Sequence, residues 1–170
     1  MKPKHIKAHM NTAENYASLS TARRLQVGAI VVKDDRIISI GYNGMPAGWD
    51  NNCEDRVWDS GAGGWLSPEE IEAQYPFEEY HPEAQRMVRY GLKTKPEVLH
   101  AEANAIAKVA RSAESAEGSV MFVTHAPCME CAKLIYQSGI KQVFWRHNYR
   151  SEDGLNFLRQ AGITLNKVEE

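Results

Sequence analysis

Two short stretches of this chain combine residues that bind a transition metal with one that can move protons: His100-Ala101-Glu102 and Pro127-Cys128-Met129-Glu130-Cys131. Imidazole and thiolate are zinc donors, and two cysteines three apart on a helix project from one face, so both sulfurs can reach a single ion. His100, Cys128 and Cys131 then form a set of one nitrogen and two sulfurs. Such a set leaves a fourth position open, which separates a catalytic zinc from a closed structural one, and a water in that position yields a hydroxide near neutral pH. Glu102 lies two residues from the histidine, close to the metal without having to ligate it, where its carboxyl can take up a proton and pass it to a substrate. Cys128-x-x-Cys131 alone would equally fit half of a structural zinc site or a redox dithiol. A dithiol has no need of the upstream histidine and glutamate, and the Met129-Glu130 interior is not of the Gly-Pro type.

Both stretches are expected to open helices, at residues 101–111 and 127–138, with Pro127 at the first helical position, where its missing N–H costs nothing. Their positive N-terminal ends would face the metal and favour thiolate and hydroxide. Around them the pattern alternates: strands at residues 119–124, 142–145 and 163–168, and a further helix at 155–161. Upstream, Ile6, Met10, Ala13 and Ala17 recur at helical spacing, and a helix is expected from residue 5 to about 25. Residues 27–32 and 37–41, joined at Asp34-Asp35, read as a β-hairpin of β-branched residues. The sum is an α/β fold, three α/β/α layers around a mixed sheet of about five strands, its central strands parallel and the hairpin added antiparallel.

From residue 42 to 96 the chain is punctuated by glycines and by Pro68, Pro76, Pro82 and Pro96, and a long insertion is expected at about 49–97. Short helices are expected within it at residues 67–74, capped by Ser67, and at 82–90. Trp58, Trp65 and Phe77 are its candidates for buried contacts, against their own core or a partner subunit.

A length of 170 residues with 43% hydrophobic content supports one substantial core, so a single domain over 1–170 is expected. Twenty Lys and Arg against 22 Asp and Glu leave a formal charge of −2 with no basic run, which favours a small substrate over a polynucleotide. An odd count of three cysteines, no long apolar span and no signal-like N-terminus point to a cytoplasmic protein.

H-x-E followed by P-C-x-x-C is the known signature of zinc deaminases of cytosine and adenine. With HAEANAI at 100–106, VTHAPCMECAKLI at 123–135, QSGIKQV at 137–143 and GYNGMPAG at 41–48 in order, the chain closely resembles the deoxycytidylate deaminases. The zinc signature is shared across several deaminase groups, and GYNGMPAG is the more discriminating element. The resemblance implies hydrolysis of dCMP to dUMP and ammonia by a zinc-activated hydroxide, supplying thymidylate synthesis, by a homohexamer regulated by dCTP and dTTP. It implies that Asn43 bonds the sugar hydroxyl, that Ala101 and the stretch Thr124, His125, Ala126 and Pro127 line the base, and that Arg24 and Tyr149 approach the phosphate. Gly44, Met45, Pro46 and Gly48 would form an effector loop with Arg111 nearby, and Mg2+ would accompany a bound triphosphate. One zinc per chain is expected, because Cys53 has no cysteine partner before it and His81 is the only histidine of the insertion. The rival readings are an editor of tRNA or single-stranded DNA with the same chemistry, and a non-catalytic module stapled by zinc.

Overall fold

The fold is known from a computed structural model that describes residues 1–61 and 66–169; Trp65 lies outside the described residues. Helix α1 (Pro3–Ala17) is followed by the hairpin strands β1 (Gly28–Lys33) and β2 (Arg36–Tyr42). Asp34 and Asp35 both take positive φ, 49° and 61°, the conformation a two-residue turn needs to match the strands' twist. After the insertion come α3 (Ala101–Ala110), β6 (Val120–His125), α4 (Met129–Gln137), β7 (Gln142–His147), α5 (Asp153–Gln160) and β8 (Thr164–Lys167). Strand order is β2-β1-β6-β7-β8. β1 pairs antiparallel with β2 and β6, whereas β6, β7 and β8 run parallel.

Alternation along the strands builds a core on each face of this sheet. Ile30, Val32, Phe122 and Phe144 point to α1 and pack with its Met10 and Ala13. Ala29, Val31, Met121, Val123 and Val143 point the other way, onto Ala101 and Ala105 of α3, Ile135 of α4 and Leu158 of α5. These are the three layers expected, with α1 on one side and α3, α4 and α5 on the other.

α1 stops at Ala17, well short of residue 25. Ala17 is the last residue of the apolar repeat. Beyond it the backbone N–H groups of Leu19 and Ser20 turn back onto the carbonyls of Tyr16 and Ala17, and the Ser18 hydroxyl donates to the Asn15 carbonyl. Residues 18–27 therefore form a loop.

The insertion is more regular than its prolines indicate. β3 (Glu54–Trp58), β4 (Phe77–His81) and β5 (Arg86–Thr94) form a second, antiparallel sheet in the order β3-β5-β4. α2 (Pro68–Gln74) is as expected, with a full capping box between Ser67 and Glu70. The helix expected at 82–90 is instead a turn and the first half of β5. Gln85 takes a positive φ of 52° at the turn, and Val88 and Tyr90 alternate inward between exposed Met87 and Arg89, a period of two. Tyr90 stacks on Phe77 at 5.3 Å and meets Trp58 at 5.1 Å, so both half-buried aromatics of the insertion cover its own sheet.

Candidate active site

His100 is the N-cap of α3 and Cys128 the N-cap of α4, both with extended backbone, and Cys131 is the third residue of α4. Pro127 thus precedes the cap instead of opening the helix, which starts two residues later than expected, at Met129. Each helix directs a positive N-terminus at the same spot.

The His100 Nδ1 is 3.6 Å from the Cys128 Sγ and 3.4 Å from the Cys131 Sγ. Bonds of about 2.0 Å to nitrogen and 2.3 Å to sulfur at tetrahedral angles would separate such atoms by roughly 3.6 Å, so the triangle fits zinc as it stands. Among the described residues, these three side chains form the one group of His, Cys, Asp or Glu with all donor atoms within 4.8 Å of each other. The side chains share protons in the way a metal would displace. Hydrogen bonds from Cys131 and His100 hold the Cys128 thiol down to about 3. The neighbouring Cys128 sulfur pushes the His100 imidazole up, and that sulfur together with burial raises the Cys131 thiol.

Glu102 is the second residue of α3 and only 4% exposed. Burial raises its carboxyl above the usual carboxylate range, opposed by its own backbone N–H and by His100. α3 can bring it there because Gly41 of β2 lies flat against the helix; a Cβ at that position would run into the Ala101 carbonyl.

His100, Glu102 and Cys128 open into a cleft of about 380 Å³. Of the residues expected to meet substrate, Arg24, Asn43, Ala101, His125, Ala126 and Tyr149 line it. Thr124 and Pro127 are buried and stand outside its lining. Thr124 instead works from behind, accepting the Gly28 N–H at 3.2 Å and meeting the His125 Nδ1 at 3.0 Å. Asn43 fastens the loop before β1, its Oδ1 accepting the Val27 N–H and its Nδ2 donating to the Leu25 carbonyl, both at 2.8 Å.

The cleft also holds residues that sequence reading missed: Glu54, Thr94 and Arg150. Arg150 adds a second guanidinium to the lining, and Thr94 accepts a bond from the Arg24 Nη1 at 3.1 Å. Glu54 and Thr94 face each other across the β3–β5 pair, so the insertion supplies one wall. No local pattern could have found them, because the pairing that brings them to the cleft spans 40 residues of chain.

A second hollow of about 650 Å³ gathers Gly44, Met45, Pro46, Gly48 and Arg111 with Lys108. Asn43 lines both hollows. On the wall of the second hollow Gly44 and Leu99 exchange backbone hydrogen bonds of 3.1 and 2.9 Å, immediately before His100. Cys53 is fully buried with Ala22 and Val98, its sulfur 3.5 Å from the Thr21 hydroxyl.

Residues 3–147 match the model of the cytidine and deoxycytidylate deaminase zinc-binding region. The deoxycytidylate deaminase of Enterobacteria phage T4 is 37% identical over 157 residues, 84% of this chain and 79% of the phage protein. That of Homo sapiens is 35% identical over 150 residues, 84% of this chain and 67% of the human one. Among solved structures, the dCMP deaminase of cyanophage S-TIM5 in complex with dCMP and dUMP superposes with a TM-score of 0.75 at 37% identity, covering 99% of both chains.

Proposed function

Because this chain belongs to the cytidine and deoxycytidylate deaminase family, we propose that it hydrolyses dCMP to dUMP and ammonia. One observation carries the reading: a nitrogen–sulfur–sulfur triangle of zinc dimensions with a buried carboxyl beside it, opening on a cleft whose lining includes two guanidinium groups. The likeness to a dCMP deaminase along almost the whole chain supports the substrate.

His100, Cys128 and Cys131 would hold one zinc per chain. When bound, zinc makes a water nucleophilic at neutral pH. Glu102, whose burial raises its proton affinity, accepts a proton from the water that adds to C4 of cytosine and passes it to the ring nitrogen, then takes the proton of the new C4 hydroxyl and delivers it to the amine, which leaves as ammonia when the C4–N bond breaks and the carbonyl forms. Ala101, His125 and Ala126 wall the base. Arg24, with Arg150 and Tyr149, takes the phosphate through charge-assisted hydrogen bonds, and Asn43 offers its remaining amide hydrogen to the sugar. The second hollow is the site we assign to dCTP and dTTP, with Mg2+ accompanying the triphosphate. Asn43 and the Gly44–Leu99 bonds couple it to the cleft. A homohexamer working in the cytoplasm, supplying dUMP for thymidylate synthesis, is the setting proposed.

Ammonia release from dCMP, deoxycytidine and cytosine, each with and without dCTP and dTTP, tests the reading. dCMP is expected to be preferred by far, and absence of turnover on dCMP by zinc-loaded protein would overturn it. Glu102→Ala should retain zinc and lose about 10²–10⁴-fold in kcat, the share of a positioned proton carrier.

A further inference from the structure

Glu54 opens β3 at the wall of the cleft and is 3% exposed. Its Oε1 accepts the backbone N–H groups of Arg23 and Arg24, at 3.0 and 3.2 Å. Its Oε2 is buried and has no hydrogen-bond partner among the described residues. A buried carboxylate oxygen left unpaired is costly, and because Glu54 lines the cleft, a donor on the ligand is the partner within reach of a small turn of its side chain.

The position of that acceptor narrows the donor. Glu54 accepts the backbone N–H of Arg24 and pairs across the sheet with Thr94, which accepts from the Arg24 guanidinium, so the acceptor belongs to the phosphate-binding cluster. In dCMP the exocyclic amine must sit at Glu102, where it leaves, and the phosphate carries acceptors. The one remaining donor is the 3′-hydroxyl, which the sugar holds next to the 5′-phosphate. Asn43 is the weaker acceptor for it, because its Oδ1 is a neutral amide oxygen that already takes the Val27 N–H.

We propose that Glu54 is a substrate-binding residue whose free carboxylate oxygen accepts the hydrogen bond of the deoxyribose 3′-hydroxyl, while its other oxygen braces the Arg24 loop. The assignment rests on the dCMP reading above. It makes the insertion part of substrate recognition, since β3 and β5 bring this carboxylate to the cleft.

The test compares dCMP with 2′,3′-dideoxycytidine monophosphate, which lacks the hydroxyl, in wild type, Glu54→Ala and Glu54→Gln. Wild type should lose roughly 10- to 100-fold in kcat/KM on the dideoxy substrate, the cost of a buried charged acceptor left unpaired. In Glu54→Ala that ratio should collapse toward one, and in Glu54→Gln it should fall several-fold, because a neutral amide replaces the carboxylate. Damage to the Arg24 loop lowers both substrates alike and leaves the ratio untouched. A wild type that does not discriminate, or a ratio that persists in the variants, overturns the role of Glu54. Should Glu54→Ala not fold, the Gln variant, which retains an oxygen for the two loop amides, decides alone. Failure of wild type on dCMP itself counts against the deaminase reading and is seen before any variant is made.

Discussion

His125 stands three residues before Cys128, and burial governs its protonation. Burial lowers its pKa, the charge of His147 lowers it further, and Glu14 opposes both. The two imidazole rings lie 4.9 Å apart, and His147 Nε2 is 3.4 Å from the Glu14 carboxylate. A histidine with a depressed pKa in the folded state binds its proton more readily when unfolded. Its contribution to stability is therefore complete above the ordinary value of about 6.5 and is lost as pH falls through the lowered folded value. The thermal midpoint should drop on acidification below pH 6.5, and His125→Gln should flatten that part of the profile. An unchanged midpoint–pH curve in the variant would assign the acid sensitivity elsewhere. Because the ring is only half-buried, the effect is a modest slope and not a collapse.

At the scale of elements, legibility followed periodicity. Strands β1 and β6 were readable as apolar runs and α2 from its capping residues, because local sequence and tertiary packing ask for the same conformation there. The end of α1 and the start of β5 were not. In the first case polar residues continue past Ala17, and bonds to Asn43, Glu54 and Thr94, all distant in the chain, help hold residues 23–27 as a loop. In the second, Pro82 imitates a helix start, and the strand is stabilised by partners on both sides, β3 and β4, that local pattern does not show. The candidate metal donors are legible because their spacing is chemical; Glu54 and Thr94 are not, because their proximity is a product of sheet register. The same scale gives a test of how α5 supports α4. Gly154 of α5 lies against the Pro127–Cys128 backbone, and a Cβ there would strike the Pro127 carbonyl. Gly154→Ala must push that segment aside, at about 1–3 kcal/mol for an overpacked contact, or some 2–10 °C in Tm for a chain of this size. Because the displaced residue includes a metal donor, zinc affinity should fall with it. Full zinc retention in Gly154→Ala would mean that the cap of α4 is held by its own helix alone.

For the whole molecule, a zinc held by His100, Cys128 and Cys131 would cross-link the N-termini of α3 and α4, two helices that already pack on one core. The central sheet does not depend on that link. Its two faces are closed by independent cores, Phe122 and Phe144 against α1 on one side and Met121 and Val143 against α3, α4 and α5 on the other. Removing the metal should therefore loosen the cleft without unfolding the chain. A ligand present at about 1,000 times its Kd stabilises by about 4 kcal/mol, so chelation should lower Tm by roughly 10 °C while far-ultraviolet circular dichroism at 25 °C keeps its α/β signature. Metal analysis should return one zinc per chain, and Cys53→Ser should leave that figure unchanged, since Cys53 is packed with Ala22 and Val98 in a cluster separate from the triangle. A second equivalent that disappears with Cys53→Ser would make the insertion a metal site in its own right. Complete unfolding on chelation would show that the cross-link, and not the two-sided sheet, carries the stability of the molecule.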